Sequence, residues 1–302
     1  MGDPRVEETL PELFTAADRT ARRWQTRYLQ ATSAGLLAAL VAAIGSAISV
    51  DLTEALDLGG LISAAGFLTA AVLTGYLYFR KPDQAWYESR AVAESIKSMS
   101  WQYAVRGGIF TRDNRTDATE FGNRARKMVR RMRPAGVALT GDNDRVTDEM
   151  TAVRDSTLAE RRKIYLTQRL EDQNRYYLRN AEESRIRAAR WFGVAILCQA
   201  AGLILAWLKV TNRVDADLLG IAATAAAGAL AWVQTRDSQN LAESYRVAAN
   251  ELADILGEAR SHPDTLTDEE WGRFVRDGEQ SISREHTLWL ARREPGLAPD
   301  DK

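Results

Sequence analysis

Residues 158–210 read LAERRKIYLTQRLEDQNRYYLRNAEESRIRAARWFGVAILCQAAGLILAWLKV. From Leu158 to Phe192 there is neither glycine nor proline, and strong helix formers dominate, which predicts one long helix. Its first half is dense with charge. After Arg190 the chain turns apolar, and the next charge is Lys209. A helix of this span runs roughly 80 Å at about 1.5 Å per residue, of which about 30 Å fits a bilayer's hydrocarbon core. The rest has to lie in water. The stretch therefore predicts an all-α membrane protein whose transmembrane helices continue into a long-helix cytoplasmic bundle.

Working outward, Lys209–Asp217 is a short polar turn, and Leu218–Val233 returns as an alanine-rich segment of about 24 Å by the helix rise. Upstream, Leu29–Val50 gives a span of about 33 Å. The acidic turn DLTEALD follows, then Leu58–Phe79. Two transmembrane hairpins, four spans in all, are expected. Before the first lies a short amphipathic helix opening at Pro11 and ending in ARRWQTRY. Its charges precede any apolar run, the wrong order for a cleaved export signal, so none is expected. Arg19, Arg22, Arg23, Arg27, Arg80, Lys81, Arg185, Arg187, Arg190 and Arg236 flank one side of the spans; Lys209 and Arg213 flank the other. The positive-inside rule then places both termini and the middle section in the cytoplasm. Trp191, Trp232 and Tyr76 fall where an inner aromatic belt belongs.

The chain has 302 residues and a net charge of −1, which gives no bulk electrostatic case for nucleic acid as a partner. One cysteine, Cys198, inside an apolar helix, precludes an internal disulfide, and two histidines make no zinc site. There is no phosphate-cradling glycine loop, metalloprotease motif or nucleophile constellation. His262 and His286 read as solvated surface residues. Asp142, Asp144, Asp148 and Glu149 lack the spacing and central glycine of a calcium loop. No catalytic residue, metal or cofactor is expected, and the chain reads as non-enzymatic.

An internal repeat is visible. Aligning Ala93-Glu94-Ser95 with Ala242-Glu243-Ser244 brings Val92, Ile96, Met99 and Tyr103 against Leu241, Tyr245, Ala248 and Leu252, a 4,3,4 seam. A further amphipathic helix follows each, one with Phe121, Ala125, Met128 and Met132 on a face. The other carries Trp271, Val275, Ile282 and Trp289, behind a Thr267–Glu270 capping box. The divisions expected are a first two-transmembrane unit over 1–135, a linker over 136–157 and a second unit over 158–302. Leu218–Arg260 has no proline and is expected to run nearly straight.

WYESRAVAESIKSMSWQYAVRGGIF (86–110), VTDEMTAVRDSTLAERRKIYLTQRLEDQNRYYLRNAE (146–182) and FVRDGEQSISREHTLWL (274–290) together resemble the bacterial SLATT proteins. These are the SMODS- and SLOG-associating two-transmembrane effector domains, here as two units in tandem. The resemblance implies a plasma-membrane effector of a conflict or stress system, such as antiphage defence. It would form a pore or disrupt the membrane when a nucleotide-linked sensor protein or ligand triggers it.

Three groups of candidate residues remain. Arg169, Asp172 and Gln173 share a helical face with Tyr177 at its margin, and Glu94 and Glu243 recur in the repeat. They read either as a buried polar network or as a solvated ion-pair face. Arg126, Lys127, Arg130 and Arg131 read as a solvated face or as a contact for lipid or ligand phosphate. Within the spans no interior residue is ionisable, which disfavours a proton-coupled transporter or a voltage sensor. Ser46, Thr69, Gln199, Thr224 and Gly228 suit a pore lining; tight bundle packing accounts for them equally. Homo-oligomerisation in the bilayer is expected, since four spans with no internal polar pathway make a poor channel alone. A non-conducting anchor or sensor whose cytoplasmic helices dock a partner protein is the alternative.

Overall fold

The computed structural model describes residues 6–48, 51–53, 56–131, 146–213, 218–261 and 267–293. Met132, Asp142, Asp144 and His262 lie outside the described residues. So do the side chains of Arg131, His286 and Trp289. The fold is all-α apart from a small antiparallel ladder between β1 (Asp51–Thr53) and β2 (Leu56–Asp57). The helices are α1 (Glu12–Ala47), α2 (Leu58–Arg80), α3 (Pro82–Ala104), α4 (Asn114–Arg131), α5 (Asp148–Arg154), α6 (Leu158–Val210), α7 (Leu218–Arg236), α8 (Ser238–Ser261) and α9 (Asp268–Arg293). By length and composition α1, α2, α6 and the α7–α8 stretch are apolar enough to cross a membrane.

Helix ends follow the local chemistry. Asp57 caps α2 by accepting from the backbone N–H of Gly59 and Gly60. Pro82 opens α3, where its missing N–H costs nothing. Thr157 and Glu160 form a capping box for α6, as Thr267 and Glu270 do for α9. The expected short N-terminal helix and the first span are one continuous helix, because no glycine or proline lies between Glu12 and Ala34 to break it. The expected straight run from Leu218 to Arg260 is interrupted. Asp237 adopts a left-handed conformation (φ 49°), which Asp tolerates and which needs no proline. Lys81 (φ 43°) does the same between α2 and α3. Within α6, Tyr165–Glu171 is π-helical.

Those two left-handed residues offer a second register for the repeat. Counting from them, Ala93 corresponds to Ala249 and Ile96 to Leu252, all four buried. This is one heptad further along than the alignment on Ala-Glu-Ser. A seven-residue slip keeps the apolar stripe in phase, so periodicity cannot detect it.

The chain forms two compact units. The body comprises Met1–Trp24, Asp83–Ala181 and Glu243–Lys302; the span unit comprises Gln25–Pro82 and Glu182–Ala242. The body's core holds Ile96, Trp101, Tyr103, Phe110, Phe121, Met150, Tyr165, Tyr177, Leu252, Trp271 and Val275. The turn after α3 is fastened to α9: the Gly108 N–H donates to the Gly272 carbonyl, and Trp271 Nε1 donates to the Val105 carbonyl. The span unit is built the other way. Leu37, Phe67, Leu68, Val72, Leu197, Leu203, Ile204 and Trp207 all stand exposed, as a bilayer solvent requires.

Candidate functional site

The body buries charge, and each buried charge sits on an apolar stripe. Arg154 closes α5 one turn after Met150, and Asp117 lies one turn before Phe121 on α4. Their side chains are fully buried and paired at 2.5 Å. Arg154 also donates to the carbonyls of Tyr103, Phe110 and Arg112 and to Asn114 Oδ1, all within 3.1 Å. Five acceptors meet the five N–H groups of one guanidinium. Its charge further rests over the Tyr103 ring, 4.6 Å from the centroid. Burial pulls the Arg154 pKa down and Asp117 opposes that, so the group stays below its ordinary value.

A second pair is formed across the π-helical segment. Arg169 Nε and Nη2 donate to the two oxygens of Glu279 at 2.9 and 2.8 Å, and Tyr165 Oη donates to the same carboxylate at 3.2 Å. The fork geometry is that of a bidentate arginine–carboxylate pair, and both side chains are only 1% exposed. Gln173 and Tyr177 are buried one and two turns on, with Tyr177 stacked on Tyr245. Nearby, Arg90 pairs with Glu94 at 2.7 Å. Burial pulls the Arg90 pKa down, but the neighbouring Glu94 carboxylate opposes it and the group is left raised.

The predicted cytoplasmic network is thus divided. Arg169, Gln173 and Tyr177 lie in the core. Asp172 is exposed and bonds Arg175 on its own helix. Glu94 is half-buried and serves Arg90, and Glu243 is exposed. Arg126, Lys127 and Arg130 stand on the solvent face of α4, opposite buried Phe121, Ala125 and Val129. The partners Arg154, Asp117 and Glu279 escape a reading by residue type alone. Their signal is positional: a charge four residues from a core residue on an otherwise apolar stripe, as Glu279 is from Val275.

One cleft of about 440 Å³ opens on the body, lined by Arg162, Glu258, Glu270, Trp271, Arg273 and Phe274 among others. Its walls are mixed in charge, with Trp271 and Phe274 as the aromatic side. Among the described residues no group of three or more His, Cys, Asp or Glu stands together to hold a metal.

In the span unit, α1 and α2 meet at glycine. A Cβ on Gly66 would lie 2.7 Å from the Ala38 carbonyl oxygen and 2.9 Å from the Ala42 nitrogen. Gly202 of α6 faces Ala222 of α7 at ordinary contact distance, and Ala226 and Ala229 are buried. Among the candidate lining residues, Ser46 donates to the Ala43 carbonyl, Thr69 to Ala65 and Thr224 to Gly220. These hydroxyls are satisfied on their own helices. Among the described residues, nothing beyond its own helix backbone lies within 4 Å of a Cβ placed on Gly228. Gln199 is exposed near the middle of the apolar stretch of α6, and no partner for its amide occurs among the described residues.

A family model described as SMODS and SLOG-associating 2TM effector domain 3 matches residues 11–162. A second, described as SMODS and SLOG-associating 2TM effector domain 1, matches residues 165–289. No curated protein and no solved structure matches the chain. The first match alone spans half of the sequence, its two apolar helices α1 and α2 included, and the second takes in α6 and α7. The chain belongs to the SMODS- and SLOG-associating two-transmembrane effector family, with two such domains in tandem.

Proposed function

We propose that the chain is a non-enzymatic effector of a bacterial conflict or stress-response system. It sits in the plasma membrane with both termini in the cytoplasm, and several copies assemble around a pore. Family membership supports the effector role and a nucleotide-linked sensor protein or ligand as its trigger. One observation carries the assembly: Gln199 presents a partnerless amide on the exposed surface of an apolar span. In hydrocarbon such a group costs several kcal/mol, and a second copy or water in a lumen removes that cost. The test is a Gln199→Cys substitution in a Cys198→Ser background, oxidised in native membranes. Disulfide-linked dimers are expected. A chain that stays monomeric at every oxidant concentration, although correctly inserted, contradicts assembly through this face.

A second reading is a non-conducting anchor or sensor. It is favoured by the hydroxyls of Ser46, Thr69 and Thr224, which already donate to the backbones of their own helices. Under this reading Gln199 is adhesive only, and the cytoplasmic helices dock a partner protein.

A further inference from the structure

Two arginines and two tryptophans converge at one end of the second hairpin. On α6, Arg187 lies one turn before Trp191; on the returning α7, Arg236 lies one turn after Trp232. The indoles meet at 6.1 Å between centroids, tilted by 60°. Because the helices run in opposite directions, both arginines fall on the same side of that ring pair. Arg187 is close enough to Arg236 to repel it. The Arg236 guanidinium lies over the Trp232 ring, 5.4 Å from the centroid, and its Nε is closed off from solvent with no hydrogen-bond acceptor.

The acids nearby do not neutralise the pair. Glu183 reaches Arg187 only at 4.0 Å and is half exposed. The Asp237 carboxylate accepts from Asn240. Among the described residues Arg236 has no carboxylate partner. Two like charges held together beside aromatic rings are costly unless an anion sits between them. A guanidinium fork suits a phosphate oxygen pair. Trp191 and Val194, both exposed, continue the face as apolar surface along α6.

We propose that Arg187, Arg236, Trp191 and Trp232 form a site for the phosphate of an anionic phospholipid headgroup, with the acyl chains lying along α6. The site takes a phosphate ester at the membrane–water boundary rather than a soluble anion, because the apolar face that continues it accepts chains. This proposal rests on the membrane placement of α6 and α7 and not on conduction. Silent liposomes leave it standing, and a chain indifferent to lipid charge leaves the pore standing.

Native mass spectrometry of the full chain in detergent, titrated with phosphatidylglycerol or phosphatidylcholine of matched acyl chains, tests it. The wild-type chain is expected to hold one phosphatidylglycerol at least about fivefold more tightly than phosphatidylcholine. Arg236→Gln and Arg187→Gln each remove that preference, whereas Arg236→Lys keeps most of it and Arg190→Gln, on the exposed side, keeps all of it. Variants are compared only when their size-exclusion elution matches wild type. Equal affinity for the two lipids, or a preference that survives both glutamine substitutions, overturns the site. Displacement of the lipid by millimolar glycerol phosphate would show that free phosphate suffices, and overturns its assignment to a lipid.

Discussion

Arg169 donates two hydrogen bonds to the Glu279 carboxylate, with both side chains almost wholly withdrawn from water. Neither charge can be rehydrated if its partner is lost. Removing one member of such a pair costs about 3–5 kcal/mol, while replacing both with apolar side chains of similar volume is often neutral or better. Glu279→Leu is therefore expected to lower the melting temperature of the purified chain sharply, and Arg169→Met/Glu279→Leu to recover it. A double variant as unstable as the single would show that desolvation is the wrong account of this pair. The sequence marked Arg169 as a candidate, beside the face that carries Leu166, Leu170 and Tyr177, but left it open whether that face is buried or solvated. Glu279 went unmarked, since its partner lies more than a hundred residues away and only the stripe through Val275 and Ile282 signals it. Arg154 and Asp117 were missed for the same reason. Local helical spacing reports which face a residue takes, but it says nothing about what that face meets.

The two hairpins use small residues differently. At Gly66 the α1 backbone comes so near that any side chain must push the helices apart, whereas no other described helix approaches a Cβ placed on Gly228. Overpacking at a tight contact costs about 1–3 kcal/mol. Replacing a helical glycine with alanine at a free position gains up to about 1 kcal/mol. Gly66→Ala is thus expected to lower thermal stability in detergent and Gly228→Ala to leave it unchanged or raise it. Equal losses at both positions would contradict the packing described. The four apolar helices were plain in the sequence, because hydropathy over a span is additive and needs no partner. The heptad register of the repeat was not, since a slip of seven residues preserves the seam. Nor was the π-helical segment: its residues, YLTQRLE, are ordinary helix formers, and the widened turn accompanies the burial of Tyr165 and Arg169 against Glu279.

The compact units of the molecule cut across the two family matches. The body takes its core from Trp101, Phe121 and Met150 in the first match and from Tyr165, Leu252 and Trp271 in the second. Trp271 donating to the Val105 carbonyl is one such bond. The span unit likewise draws a hairpin from each. One body is thus built from both matched domains. Three of the four residues in the buried ion pairs lie in the segments that carry the family resemblance, Arg154 and Arg169 in one and Glu279 in another; Asp117 lies outside them. What such a molecule does depends on whether its apolar helices pass ions when copies assemble. Ion flux from liposomes carrying the purified full chain, with and without candidate nucleotides, tests that most directly. The account predicts flux that requires the protein and falls in Gln199→Leu. A folded, inserted oligomer that passes no ions under any nucleotide or sensor protein supplied, with Gln199→Leu indistinguishable from wild type, would contradict the pore.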